Sequence, residues 1–281
     1  MTVCVGLKVH DGIVFAADSA STLIGTYPDG SSGVINVWQH GNKVFNLRKH
    51  LPIIAMTCGM GHIGHASISA LAKDFRLLLT SGDDPLDENN YTIKEVVERA
   101  HTFFGDAYNA LDPLPNPPHS FEFWIGGMDS GDMHGEVWKI QTTDQHVFDP
   151  VEIVAKDCPD QVFWGGQPSV INRLLMGYDN NLIEVLSETE SDDAAQGAFI
   201  SELQSRAATP LVHAAMPIQD AIKLADFLVE TTKRYFAFLP GADVVGGDTD
   251  IATVTKHEHF KWIRRKHYYP ANLNTLETDH A

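Results

Sequence analysis

The chain has 281 residues, 43% of them hydrophobic and 20% charged, with a formal net charge of −17. That length allows one large domain or two small ones with a substantial core, and the composition excludes a disordered chain. No apolar run reaches the roughly 18 residues that a membrane-spanning helix needs, and the acidic balance disfavours nucleic acid unless a basic patch overrides it.

Residues 2–8 and 13–17 are short β-branched runs separated by His10-Asp11-Gly12, which predicts a hairpin beginning at residue 2. Residues 25–33 have the Gly, Pro, Asp and Ser density of a loop, after which residues 44–47 and 52–57 read as strands. Helical spacing follows over residues 62–79 and 91–111, and the proline-rich stretch 113–118 ends the second helix. A strand pair is expected at 121–126 and 136–140 around Asp129-Ser130-Gly131-Asp132, with 161–164 as a third strand. Helices are predicted over 168–176, 194–207 and 218–236, the acidic stretch 187–193 as an exposed loop between helices, and the last strand over 251–255. This order indicates an α+β fold of antiparallel sheets between helical layers, not alternating parallel βαβ units.

Cys4, Cys58 and Cys158 form an odd, widely spaced set, unlike a disulfide framework or a zinc cluster, so a reducing cytoplasm is expected. No secretory signal is visible at the N-terminus. The basic stretch 261–266, with Arg264 and Arg265, reads as a solvated or inter-subunit tail. His62 and His65, three residues apart on an expected helix, lack a third ligand at metal spacing, and His257, His259 and His267 are equally ambiguous; no metal and no cofactor is assigned. Gly59 to Gly64 formally matches G-x-G-x-x-G, but two successive helices follow in place of a βαβ unit, which argues against a dinucleotide site.

The chemistry concentrates at the N-terminus. A threonine hydroxyl needs a base to become a nucleophile, and a chain that begins with Thr carries one in its own α-amino group. Removal of Met1 would expose Thr2, whose small side chain permits that cleavage. The segment TVCVGLKVHDGIVFAADS, residues 2–19, resembles in register the start of proteasome β subunits, N-terminal-nucleophile hydrolases. The resemblance extends to about residue 255 and is closest to the bacterial ancestral β-subunit and related branches. It implies a four-layer αββα sandwich, residues 1–281 as one domain with 256–281 as a C-terminal extension.

By that resemblance Thr2 is the nucleophile, Asp18 and Lys43 (in G-N-K-V-F) complete the site across an insertion, and Gly59 offers an oxyanion-binding N–H. A lysine cation beside the α-amine disfavours its protonation and keeps it a base. Ser21, Thr22, Thr57 and Gly61 would border the substrate, and their small polar character argues against a charged pocket floor. Asp243 matches an Asp-x-x-Ser-Gly turn in which Gly246 replaces the serine, and the turn Gly165-Gly166 lacks a second supporting serine. The expected function is hydrolysis of peptide bonds in a peptide or unfolded protein, with self-association into rings or helical stacks and an ATP-dependent unfoldase as partner. The alternatives are a catalytically silent structural subunit and a non-peptidase amidohydrolase of the same fold.

Overall fold

Alternation along each strand decides which layer it faces. In the computed structural model, which describes residues 2–112, 120–143, 146–189 and 192–266, strand β1 (Val3–Val9) is buried along its whole length. Val3, Val5, Leu7 and Val9 point into one apolar cluster and Cys4 into another, so both faces of the strand are covered. The remaining strands in chain order are β2 (Gly12–Ala17), β3 (Ser21–Thr26), β4 (Ser32–Trp38), β5 (Val44–Asn46), β6 (Ile53–Gly59), β7 (His62–Ile63) and β8 (Ala66–Ser67). Helices α1 (Ile68–Ser81) and α2 (Ile93–Asn109) come next, followed by β9 (Phe121–Met128), β10 (Gly135–Thr143), β11 (His146–Val154) and β12 (Gln161–Gly166). Helices α3 (Ser169–Leu175), α4 (Asn180–Thr189), α5 (Asp193–Ala207) and α6 (Ile218–Ala237) precede β13 (Asp250–Thr255) and β14 (His259–Arg264).

The strands form two five-stranded antiparallel sheets, ordered β12-β1-β2-β13-β14 and β11-β10-β9-β6-β5. Ile13, Phe15 and Ala17 of the first sheet share a core with Ile54, Met56, Cys58 and Trp124 of the second. The other face of the second sheet carries Phe121, Phe123 and Ile125, packed with Phe75 of α1 and Val96, Val97 and Phe104 of α2. The Phe104 ring lies 4.5 Å from that of Phe123, and burial of each such side chain stabilises by about 1.5–3 kcal/mol. The outer face of the first sheet packs on Ala221, Ile222, Ala225, Leu228 and Val229 of α6 and on Ile171 and Leu175 of α3.

Several expectations are corrected. The presumed loop 25–33 is only the turn region of a hairpin, because β3 and β4 pair from Ser21↔Trp38 to Thr26↔Ser32. The first helix starts at Ile68, not at residue 62, because the Ser67 side chain accepts the Ala70 amide and sets the N-cap there. His62 therefore lies in β7 and His65 in a turn, so they do not share a helix face. Residues 161–164 join the β1 edge of the first sheet, and the third strand beside β9 and β10 is β11. Residues 187–189 continue the unanticipated helix α4. The basic stretch 261–266 is no tail: its first four residues complete the edge strand β14, and Lys266 is buried. The proline-rich 113–118 and His267 lie outside the described residues. Among those residues no helix is long and apolar enough to cross a membrane, and no cluster of three metal-ligating side chains occurs.

Candidate active site

The β1–β2 pair brings the chain start and the Ala-Ala-Asp-Ser corner side by side. Asp18 N donates to the Val3 carbonyl at 3.3 Å, and Val3 N donates to Asp18 Oδ1 at 3.0 Å. Lys43, entering from just before β5, donates through Nζ to Asp18 Oδ1 and to the Ala20 carbonyl, both at 2.6 Å. Asp18 Oδ2 accepts the amides of Ala20 and Gly246 at 3.1 and 3.0 Å. Four donors therefore surround one buried carboxylate, and the ion pair that would be costly when desolvated is hydrogen-bonded on both sides.

Thr2, only 4% exposed, lines a cavity of about 1130 Å³ together with Lys43, Thr57, Gly59, Gly61 and Gly166. Its carbonyl accepts the Gln167 amide at 2.7 Å. Gly166 makes that approach possible: its φ is +84°, and a Cβ there would lie 2.0 Å from the Thr2 oxygen. Gly59, at φ +87°, is likewise pressed against the Ser120 carbonyl, which an added Cβ would meet at 2.2 Å.

Ser21 and Thr22 stand on β3 in the cavity wall, with the Ser21 hydroxyl beside Gly61. Thr57 is tied down: its hydroxyl donates to the Glu122 carbonyl at 2.9 Å and its amide to the Lys43 carbonyl at 2.9 Å. Asp243 is set apart from the cavity, exposed on the loop before β13 with its carboxylate next to Gly246. The structure thus gathers Thr2, Asp18, Lys43, Gly59, Ser21, Thr22, Thr57 and Gly61 at one end of the paired sheets and leaves Asp243 behind the Gly246 turn.

Solved structures share this arrangement of elements. An Anbu (Gly-1) mutant from Hyphomicrobium sp. strain MC1 matches with a TM-score of 0.53 and 16% sequence identity over 95% of this chain and 86% of that one. Anbu (ancestral beta-subunit) from Yersinia bercovieri matches with a TM-score of 0.52 and 14% identity over 94% and 88% of the two chains. The chain has the Anbu fold. No family model and no curated protein matches. At such identities the likeness extends to fold, and the chemistry rests on the residues themselves.

Within this Anbu-type fold, several residues around the site had no signal in the sequence. Glu122 lines the cavity, and its side-chain oxygen accepts from Trp124 Nε1 at 2.9 Å and Cys58 Sγ at 3.4 Å, so an acidic side chain stands beside the small polar ones. The Cys58 thiol is pushed well above its ordinary range by a hydrogen bond with the free thiol of Cys4 and by burial, which keeps it a thiol. Gln39 Oε1 is buried without a hydrogen-bond partner among the described residues, 3.1 Å from where a Gly246 Cβ would stand. Ser19, Asp250 and Lys266 form a polar cluster on the far side of Asp18. The Ser19–Lys266 and Gln39–Gly246 contacts join positions more than two hundred residues apart, which no local pattern could reveal.

Proposed function

We propose that this chain is a proteasome-like threonine peptidase whose nucleophile is Thr2, exposed by loss of Met1. The observation that carries the reading is the shared Asp18 Oδ1, which binds the Lys43 ammonium and the amide of Val3, the residue next to Thr2. In this mechanism Thr2 Oγ attacks the peptide carbonyl while the Thr2 α-amine takes the hydroxyl proton. The Lys43 cation favours the neutral, basic form of that amine. The oxyanion is stabilised by the Gly59 N–H. Collapse breaks the C–N bond, the leaving amine receives the proton, and water hydrolyses the Thr2 ester.

Ser21, Thr22, Thr57 and Gly61 border the extended substrate in this reading, and Asp243 supports the Gly246 turn. The packing of helices, sheet, sheet and helices supports a four-layer αββα sandwich, read here as one domain. Self-association into rings or helical stacks, an ATP-dependent unfoldase and a cytoplasmic location complete the proposal.

Intact mass and labelling with an epoxyketone, mapped by peptide sequencing, test it directly. A chain lacking Met1 and modified at Thr2 supports the reading; retention of Met1, or an unreactive free Thr2 in the assembled protein, refutes it. One observation favours a second reading, a silent structural subunit: Gly246 and Gly165-Gly166 offer no hydroxyl beside the nucleophile. Unchanged hydrolysis by Thr2→Ala would eliminate the Thr2 mechanism, and absent hydrolysis with intact assembly would support the silent role.

A further inference from the structure

Ser19 sits between the two groups that hold Lys43, and each of its polar atoms is engaged. Its amide donates to the Gly246 carbonyl at 2.9 Å, its carbonyl accepts the Gly41 amide at 2.8 Å, and its hydroxyl donates to the Asp248 carbonyl. The hydroxyl also accepts a hydrogen bond at 2.5 Å from Lys266 Nζ, 247 residues along the chain. Displacing Ser19 would move its neighbours Asp18 and Ala20, which are the two acceptors of the Lys43 ammonium.

Lys266 is 8% exposed, and its Nζ also pairs with Asp250, whose other oxygen accepts the Lys266 amide at 3.1 Å. An ammonium only donates, so its bond to Ser19 leaves that hydroxyl one option for its own proton, the Asp248 carbonyl. A buried cation is costly without a partner, and Asp250 supplies the counter-charge. The charged groups facing Lys266 are Asp250, Asp248 and Lys43. The peptidase scheme above leaves Lys266 without a role.

We propose that Lys266 is a positioning residue for the Thr2 site: it fixes the Ser19 hydroxyl, and through the Ser19 backbone it holds Asp18 and Ala20 against Lys43. The proposal rests on the peptidase reading of Thr2. It also makes the chain segment after β14 part of the site, since that segment delivers the cation. The Lys266–Asp250 pair adds no net charge, whereas loss of Lys266 alone leaves a buried carboxylate that favours the protonated, inactive Thr2 amine.

The test compares full-length K266M, K266R, S19A, S19A/K266M and K266M/D250N with the wild type. Two readouts are taken: the rate of Thr2 labelling by an epoxyketone across pH, and hydrogen exchange of the Ala20 and Gly246 amides. K266M should label between roughly tenfold and a hundredfold more slowly, as expected for small misplacement of a reacting group, with the acidic limb of the pH profile moved upward. K266M/D250N should restore the limb but not the rate, and K266R should restore most of the rate. On the alkaline plateau, where the displaced limb no longer matters, S19A/K266M should be no slower than S19A, and exchange of both amides should quicken in K266M. If K266M fails to fold, S19A carries the same expectations of slower labelling and faster exchange. A wild-type rate, pH profile and exchange in K266M or S19A, or plateau rate losses that multiply in the double variant, overturn the proposal. If the wild type itself is not labelled, the peptidase reading alone falls, and the exchange measurements decide the role of Lys266.

Discussion

Asp18 Oδ1 accepts both the Lys43 ammonium, at 2.6 Å, and the Val3 amide, at 3.0 Å. One atom thereby links the start of β1 to Lys43, whose only charge partner in the described residues is Asp18, and stability and chemistry become coupled there.

D18N should therefore cost more stability than a surface change. It leaves the Lys43 ammonium buried without its counter-charge, a loss of about 3–5 kcal/mol for a pair of this kind. D18N/K43M, which removes both charges, should be more stable than D18N. Urea unfolding of the three chains checks the order, and D18N more stable than the double variant would contradict it.

G166A and G246S should differ sharply despite both adding a Cβ beside the site. Gly166 has φ +84°, and an added Cβ would stand only 2.0 Å from the Thr2 carbonyl oxygen, so alanine must displace the start of β1, at a cost on the order of 1–3 kcal/mol and with loss of Thr2 labelling. A Cβ added at Gly246 would meet Gln39 Oε1 at 3.1 Å and Asp243 Oδ2 at 3.3 Å, and a serine hydroxyl can donate to the unpartnered Gln39 oxygen. G246S should stay within roughly 1 kcal/mol of the parent in thermal unfolding.

Alkaline stability should report on Tyr91. Burial, aided by Asp129, pushes its phenol from 10.0 up to about 12, so the folded chain holds that proton more tightly than the unfolded one. The resulting stabilisation is complete below pH 10 and is lost as pH rises toward 12, by at most roughly 2–3 kcal/mol. Y91F lacks this term, so its unfolding free energy should fall less between those pH values. Parallel curves for both chains would count against it.

The β3–β4 hairpin should act on substrate binding more than on the nucleophile. Ser21, Thr22, Ile24 and Trp38 contribute wall to the cavity. Replacing residues 24–35 by a short turn should lower kcat/KM for extended peptides by about tenfold, or ~1.4 kcal/mol, while a small electrophile still labels Thr2. Equal losses for both would instead show that the hairpin shapes the nucleophile itself.

Local patterns were legible where one residue type has one physical use. The short continuous apolar runs of β1, β2, β6 and β9 and the period-3.6 faces of α2 and α6 follow from the side chains they bury. The strand β4 was hidden because its side chains are largely half-buried or exposed, so β3 and β4 lack a sustained apolar signal. The helix α4 was hidden for the same reason, having no fully buried residue.

The chain by itself determined an α+β antiparallel class, because the periods of strands and helices are local properties, and the resemblance of residues 2–19 to proteasome β subunits put Thr2, Asp18, Lys43 and Gly59 forward as one site. Only the tertiary structure decided what surrounds them: Ser19 against Lys266, Gln39 against Gly246, and Glu122 in the cavity wall. The physical reason is distance along the chain. Hydrogen bonds between residues 19 and 266, or 18 and 246, are consequences of sheet pairing, and they exist only after β13 has joined β2.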